Sequence, residues 1–146
     1  MEEAYLRAAA EEDMDLLFGW ANEPAVRANS FSSSLITHEE HEAWFQRLMA
    51  SGNRRQYIYM LGGEPVGQAR VEVSGEEAEI SYSICAGMRG MGHGKNMLQL
   101  LRSQVKEDFP EAEKLKARVK PDNIASRKAF LNAGYAEAYE VYELQL

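Results

Sequence analysis

A glycine-dense turn, which follows a predicted strand and precedes a predicted helix, has the composition of a phosphate-binding site. Gly90, Gly92 and Gly94 can take backbone angles that other residues avoid, so successive N–H groups can converge on one point. Residues 95–109 carry apolar side chains at helical spacing, and the positive N-terminus of such a helix would face the same point. We therefore expect residues 89–95 to cradle an anionic group.

Two common phosphate-binding motifs do not fit this turn. A P-loop requires glycine five residues before its Gly-Lys pair and a hydroxyl residue after it, but these positions hold Arg89 and Asn96. The dinucleotide-binding fingerprint requires a third glycine where this chain has Lys95. The turn is instead Arg89-x-x-Gly92-x-Gly94, between a strand and a helix.

This arrangement resembles the pyrophosphate-binding motif of the GNAT superfamily of acetyl-CoA-dependent N-acetyltransferases. The family pattern is arginine or glutamine, two residues, glycine, one residue, then glycine or alanine. A later stretch resembles the family's other motif, because Asn123, Ser126, Phe130 and the pair Gly134-Tyr135 fill its asparagine, small-residue, aromatic and glycine–aromatic positions. The two motifs together are far more specific than either one alone.

The resemblance implies that acetyl-CoA is the co-substrate and that no metal takes part. The cofactor-binding residues that it implies are Ile84, Cys85, Ala86, Arg89, Gly90, Met91, Gly92, His93, Gly94, Lys95, Asn123, Ser126, Lys128 and Phe130. In this assignment Asn123 and Ser126 offer polar groups to the pantetheine arm, and Arg127 or Lys128 reaches a phosphate. Considered in isolation, Asn123 would instead be a helix N-cap, with Ser126 and Lys128 solvated.

The mechanism implied by the resemblance is direct attack of a neutral amine on the thioester in a ternary complex. A backbone N–H of Ile84 or its neighbours would polarise the thioester carbonyl, an interaction typically worth roughly 3 kcal/mol. Glu79 is the candidate general base; its alternative role is that of an exposed strand residue. The histidines His38 and His41 are three positions apart, whereas the zinc-protease pattern needs four, so we predict no metal site.

One residue departs from the family pattern. Many relatives have a tyrosine where this chain has Phe130, and the hydroxyl of that tyrosine is thought to protonate the leaving thiolate. Because an unperturbed thiol has a pKa of about 8.5, the thiolate could also leave without a dedicated acid. The tyrosines that could supply the missing hydroxyl are Tyr82, which we include among the catalytic candidates, and Tyr135, Tyr139 and Tyr142.

The N-terminal half favours one branch of the family. Residues 20–27 and 36–45 resemble the branch that acetylates the 4-amino group of nucleotide-linked sugars and, more distantly, ribosomal-protein N-terminal and spermidine acetyltransferases. The favoured acceptor is therefore a nucleotide-linked amino sugar, and the alternatives are a protein N-terminus or a polyamine. A non-catalytic CoA-binding sensor is the rival of another class, supported mainly by Phe130. The candidate acceptor contacts are Arg27, Asn29, His41 and Trp44, although His41 and Trp44 could simply belong to the core.

Hydropathy patterns predict the elements that position these residues. They indicate one α/β domain over residues 1–146, and the resemblance implies the GNAT fold, in which a mixed, mainly antiparallel sheet is flanked by about four helices. The predicted strands are 5–9, 57–61, 66–73, 78–84, 115–119 and the tail 136–146, and the predicted helices are 11–21, 37–49, 95–109 and 124–132. Residues 22–34 read as a polar loop, which either contacts ligand or is a solvated connector. This order of elements is also that of the GNAT fold.

Composition narrows the class of protein further. The 146 residues carry a net charge of −7, which argues against binding along a nucleic-acid backbone. The sequence has neither an apolar run of membrane-spanning length nor a signal-peptide pattern, and its one cysteine fits a reducing compartment. We therefore expect a cytoplasmic protein without membrane or nucleic-acid partners, either a monomer or a homodimer, whose partner is a small-molecule amine.

Overall fold

The structure is a computed structural model that describes residues 3–32 and 34–146. Ser33, part of the predicted polar loop, and the first two residues lie outside the described residues. Within these ranges the chain forms a five-stranded sheet in the order β1-β2-β3-β4-β5, in which the first four strands are antiparallel and β5 is parallel to β4. The strands are β1 (Ala4–Ala8), β2 (Arg54–Leu61), β3 (Glu64–Ser74), β4 (Glu77–Ile84) and β5 (Lys114–Lys116).

Helices cover both faces of this sheet, which confirms the predicted fold class. They are α1 (Met14–Ala21), α2 (Pro24–Asn29), α3 (His38–Met49), α4 (His93–Asp108) and α5 (Ile124–Asn132), with short 3-10 turns at Glu11–Asp13 and Ala86–Met88. None of the helices in the described ranges combines the length and apolar character that a bilayer crossing requires.

Strand alternation divides the core between two helical layers. On one face, Tyr57 and Val71 pack in a cluster with Met97 and Leu101 of α4. On the other face, Ile58 packs with residues of α1 and α3. Because successive strand residues point to opposite faces, a single strand such as β2 supplies both clusters.

The segment predicted as a polar loop contains helix α2, which corrects the prediction for residues 22–34. Pro24 occupies the first turn, where its fixed φ suits a helix and its missing N–H would have had no intrahelical partner. The Glu23 side chain caps the helix by accepting a hydrogen bond from the Val26 N–H at 3.2 Å.

The predicted C-terminal strand is wrong. Residues 136–146 have no regular secondary structure, and the Tyr139 and Tyr142 side chains are 70% and 87% exposed. β-propensity favours a strand only where another strand pairs with it, and no described strand lies beside this tail.

Strand β5 is also shorter than the predicted strand 115–119. Its three residues pair with Glu77–Glu79, at the beginning of β4. Beyond Glu79, β4 continues to Ile84 without a described strand on that side. The two strands therefore diverge, and the sheet opens towards the end of β4.

Candidate active site

A large cleft of about 1390 Å³ lies where the sheet opens. The glycine turn and the first residues of α4 and α5 contribute to its lining, as do α2, α3 and the face of β3, the part that we call the acceptor end. The two stretches singled out in the sequence, which are distant along the chain, therefore meet at the same cavity.

The glycine turn presents free backbone donors to this cleft. Gly90 and Gly92 have φ values of 76° and 84°, in the left-handed region that favours glycine. Gly92 is the N-cap of α4, and the first intrahelical hydrogen bond joins the Asn96 N–H to the Gly92 oxygen at 3.1 Å. The N–H groups of residues 93–95 consequently have no intrahelical partner, and together with the helix dipole they form a site suited to an anion.

Gly94 has a different role from the one predicted. It is a helical residue without positive φ, so the expectation of an unusual backbone angle is wrong at this position. A Cβ on Gly94 would lie 3.2 Å from the Tyr82 Oη and 3.4 Å from the Ala129 Cβ. Its lack of a side chain allows β4, α4 and α5 to approach one another at the cleft.

Arg89 connects the end of β4 with α2. Its Nε donates to the Ile84 oxygen at 2.9 Å, and its Nη2 lies 2.8 Å from the Glu23 carboxylate. The hydrogen bond from Arg89 holds the pKa of Glu23 below its usual value. Arg89 lines the cleft, as do the first residues of α4.

The second motif forms the N-terminus of α5. The Asn123 side chain accepts a hydrogen bond from the Ser126 N–H at 3.3 Å, so Asn123 is the helix N-cap that its sequence position suggests in isolation. Ser126 is not simply solvated, because its Oγ lies 3.1 Å from the Tyr82 Oη. Lys128 is exposed and lines the cleft.

Phe130 is buried between two tyrosines. Its ring centroid lies 5.6 Å from that of Tyr82 and 5.0 Å from that of Tyr135, both edge-to-face. Among the four tyrosines considered in the sequence, Tyr82 lines the cleft, whereas Tyr135, Tyr139 and Tyr142 do not. Burial raises the pKa of the Tyr82 hydroxyl, which therefore remains protonated at neutral pH.

Backbone N–H groups near the end of β4, including that of Ile84, face the opening. The Cys85 N–H donates to the Val66 oxygen at 2.9 Å, on the β3 side. Because hydrogen-bonded and non-hydrogen-bonded pairs alternate in antiparallel strands, the N–H of Ile84 points away from β3, towards the side from which β5 has diverged. Of the cofactor candidates, Cys85, Ala86 and Met91 do not line the cleft, whereas the others do.

Glu79, the candidate base, lies apart from the other candidates. It lines a smaller cavity at the beginning of β4 and not the main cleft. Its Oε1 accepts a hydrogen bond from the Arg118 Nε at 2.8 Å.

All four candidate acceptor contacts line the cleft. Two of them bind their own segment: the Arg27 Nε donates to the Ala21 oxygen at 2.6 Å, and the Asn29 Nδ2 donates to the Ala25 oxygen at 3.1 Å. His41 is 3% exposed and its Nε2 lies 3.1 Å from the Met14 carbonyl oxygen, so this nitrogen carries the proton. Burial lowers the pKa of His41.

A row of polar side chains from the sheet was missed in the sequence. The residues of this polar row that line the cleft are Gln56, Gln68, Arg70, Ser81 and Ser83. The Gln56 Nε2 donates to the Gln68 Oε1 at 2.7 Å, and the Gln68 Nε2 donates to the Ser83 Oγ at 3.1 Å. The alternation of Gln68 and Arg70 with apolar residues in the predicted strand 66–73 was the available signal.

The cleft is basic although the chain is acidic. The basic residues of the lining are Arg27, Arg47, Arg70, Arg89, Lys95, Arg118 and Lys128, and in the described part of the chain Glu40 is the one acidic residue that lines it. No group of three or more histidine, cysteine, aspartate or glutamate side chains in the described ranges is arranged to hold a metal ion.

Comparison with known proteins identifies a family. The family model described as an acetyltransferase (GNAT) domain matches residues 4–136 of the chain. No curated protein sequence matches it.

Solved structures show the same fold at low sequence identity. The spermidine N-acetyltransferase from Vibrio cholerae, in complex with CoA and spermine, is 15% identical over 98% of this chain and 86% of its own, with a TM-score of 0.86. The aminoglycoside acetyltransferase AAC(6')-Ib, in complex with coenzyme A, is 22% identical over 90% of this chain and 83% of its own, with a TM-score of 0.77. The ribosomal L7/L12 alpha-N-protein acetyltransferase RimL, in complex with coenzyme A, is 18% identical over 90% of this chain and 78% of its own, with a TM-score of 0.77.

Proposed function

The chain belongs to the GNAT family of acetyl-CoA-dependent N-acetyltransferases, and on this basis we propose that its cleft transfers the acetyl group to the amine of a nucleotide-linked amino sugar. The observation that carries the assignment of the cofactor end is the set of free N–H groups at the start of α4, flanked by Arg89 and Lys95. Pyrophosphate oxygens fit this arrangement because backbone donors, helix dipole and side-chain cations converge on one place.

The remaining cofactor contacts follow from the N-terminus of α5 and the end of β4. Asn123, Ser126 and Lys128 line the groove along which the pantetheine arm would extend, and Phe130 forms its apolar wall. When bound, acetyl-CoA supplies a thioester carbonyl. The Ile84 N–H is placed to stabilise negative charge on the oxygen of that carbonyl.

Tyr82 supplies the hydroxyl that Phe130 lacks. Its Oη lies beside Phe130, between α4 and α5, and is held by Ser126. The raised pKa keeps the proton on this oxygen at neutral pH, so that Tyr82 can donate it to the departing sulfur. This assignment argues against the non-catalytic sensor, whose main support was the phenylalanine.

No carboxylate is assigned as the base. Glu79 does not line the cleft and is paired with Arg118, and the acceptor therefore needs an amine that is partly neutral near pH 7. An amine with a pKa near 8 is about one tenth deprotonated at that pH, whereas a lysine-like amine near 10.4 is almost fully charged.

The charge of the lining supports a sugar nucleotide over a polyamine. A polyamine acceptor would require acidic residues, yet basic residues outnumber acidic ones around the cleft. The diphosphate of a nucleotide-linked sugar would complement that lining. Acetylation of a protein N-terminus remains the alternative within the enzyme class, because a peptide acceptor would contact the same residues as the sugar nucleotide.

The test is release of CoA from acetyl-CoA with three acceptors: a UDP-linked 4-amino-4,6-dideoxy sugar, a ribosomal-protein N-terminal peptide and spermidine. We expect release with the sugar nucleotide. Release with the peptide or spermidine instead would reject the acceptor assignment, and binding of acetyl-CoA without release for any amine would favour the sensor.

The cradle is tested separately with Arg89→Ala. We expect acetyl-CoA to bind about 10- to 100-fold more weakly, the range for loss of a charge-assisted hydrogen bond. Arg102→Ala is the matched control, because Arg102 is an exposed residue of α4 outside the cleft. Equal affinities of the two variants would place the pyrophosphate elsewhere.

A further inference from the structure

Arg70 lies at the centre of the sheet, on the floor of the acceptor end of the cleft. Its cross-strand neighbours are Gln56 on β2 and Ser81 on β4, and all three side chains line the cleft. Both neighbours are neutral, so no carboxylate stands directly opposite the guanidinium on either adjacent strand.

The Arg70 guanidinium makes no hydrogen bond or ion pair with any residue that the structure describes. It lies against Trp44, whose ring centroid is 5.1 Å from Cζ. Glu72 and Glu79 act on it only through longer-range attraction, and Glu79 is already bonded to Arg118. Burial is the largest influence on Arg70 and lowers its pKa.

Three other arginines of the cleft differ in this respect, because Arg27, Arg89 and Arg118 each donate hydrogen bonds to carbonyl or carboxylate oxygens. The Arg47 side chain also has no hydrogen-bond or ion-pair partner among the described residues, but it is exposed to solvent, whereas Arg70 is partly buried. A partly desolvated cation without a counter-charge is unfavourable, and buried charges in proteins are normally paired. The environment of Arg70 is therefore suited to a ligand that supplies the missing negative charge.

The contact with Trp44 is not a hydrogen bond and therefore leaves the N–H groups of the guanidinium free to bind. The N–H groups of an arginine form a planar fork. That fork matches the two oxygens of a carboxylate or phosphate. The neighbouring amides and hydroxyls of Gln56, Ser81 and Ser83 could accept or donate further hydrogen bonds.

We infer that Arg70 determines acceptor specificity by binding an oxyanion, a carboxylate or a phosphate, which the acceptor carries in addition to its amine. The inference rests on the proposed function and adds to it the residue and the chemical group by which the acceptor is recognised. If the inference is correct, amines that carry no negative charge are poor substrates, whatever their size.

The first experiment compares acceptors that differ in the anion. The pairs are glucosamine 6-phosphate with glucosamine, and glycylglycine with glycylglycinamide, whose α-amines have pKa values of about 8, so that one pair tests phosphate and the other carboxylate. For at least one pair we expect kcat/KM to be about tenfold or more higher for the anionic member, in line with a charge-assisted hydrogen bond. Equal values within both pairs would overturn the inference while leaving the transferase activity established.

Variants of Arg70 test whether this residue causes the preference for the anionic acceptor. Arg70→Gln should raise the acceptor KM and remove the preference for the anion, while the KM for acetyl-CoA stays within about twofold. Arg70→Lys should restore part of the preference, because lysine keeps the charge but not the fork. Arg102→Gln, an equal change of charge outside the cleft, should have no effect. A preference that persists in Arg70→Gln would assign the anion to another residue.

A second measurement does not need turnover. Trp20 and Trp44 are the two tryptophans of the chain and both line the cleft, so Trp20→Phe isolates the fluorescence of Trp44. With CoA present at saturation, UDP, inorganic phosphate and acetate are titrated into this variant, and a saturable change that Arg70→Gln abolishes is expected for at least one of them. The absence of any change would overturn the inference even if amines are acetylated. A change without acetylation of any amine would support Arg70 and reject the proposed function.

Discussion

Two tyrosines on either side of Phe130 show how position alone separates a catalytic candidate from a structural residue. Tyr82 and Tyr135 pack edge-to-face on the same ring at similar distances. The Tyr82 hydroxyl reaches the cleft and is bonded to Ser126, whereas the Tyr135 oxygen is buried without a hydrogen-bond partner in the described residues. Both aromatic positions were recognised in the sequence, but the environments of the hydroxyls depend on the packing of α4 and α5.

We expect matched substitutions to separate these roles. Tyr82→Phe should lower kcat by about 100-fold, the lower range for loss of a general acid, with little change in the KM for acetyl-CoA. Tyr135→Phe should leave kcat unchanged and raise the free energy of unfolding by about 1 kcal/mol, because it removes an unpaired buried hydroxyl. Steady-state kinetics and urea unfolding measure both. Equal kinetics for the two variants would mean that Tyr82 is not the acid.

The pH dependence of stability follows from the same residue. Burial raises the pKa of Tyr135 to about 12, whereas an unfolded tyrosine has a pKa of about 10. The folded state therefore keeps a proton that the unfolded state loses, and stability should fall as the pH rises from about 10 to about 12. The fall should be shallower in Tyr135→Phe, as urea unfolding across that range would show.

At the scale of elements, a buried carboxylate joins β1 to the turn before α1. The Arg7 guanidinium donates to the two Asp13 oxygens at 2.8 Å and 2.9 Å, and the Ala10 N–H donates to the same carboxylate at 2.8 Å. The hydrogen bond from Arg7 is the largest influence that lowers the pKa of Asp13. The carboxylate thus fixes the point at which the chain leaves the sheet.

We expect Asp13→Asn to lower the free energy of unfolding by about 1–2 kcal/mol at pH 7, a modest value because the Arg7 side chain is 36% exposed. Since the folded pKa is depressed, the stabilisation is present above about pH 4 and is lost as the pH falls through the folded value. Urea unfolding of both proteins should show the difference shrinking below pH 4. A constant difference down to pH 2 would contradict this role.

Local signals predicted some elements well and failed for others. Helix α5 was predicted at its observed bounds, because Asn123 caps it and Gly134, with φ 98°, follows its end. Helix α2 was missed, since its six residues carry no apolar stripe. The tail was misassigned because its alternation indicates a strand but cannot show whether a partner exists. Arg70 was missed because the alternation of β3 does not reveal which face a helix leaves uncovered.

At the scale of the whole molecule, charge is distributed unevenly. The chain has a net charge of −7, yet the cleft is lined by seven basic residues and, in the described part of the chain, one acidic residue. Of these basic residues, Arg89, Lys95 and Lys128 were assigned to the cofactor from the sequence motifs. The sequence could not show that Arg47, Arg70 and Arg118 join them, because these residues come from a helix, a strand and a loop that are distant along the chain.

This uneven distribution of charge affects the rate at which a polyanion such as acetyl-CoA associates with the protein. The acidic surface outside the cleft repels the negatively charged acetyl-CoA at long range, whereas the positive potential of the cleft attracts it. Collisions that lead to binding therefore occur preferentially at the mouth of the cleft. Such steering weakens as ions screen it, over about 30 Å at 0.01 M salt and about 10 Å at 0.1 M. We expect the association rate of acetyl-CoA, measured by stopped-flow fluorescence, to fall several-fold between these salt concentrations while the dissociation rate changes little. The basic cleft would then favour anionic ligands through their faster association, before any hydrogen bond with them forms.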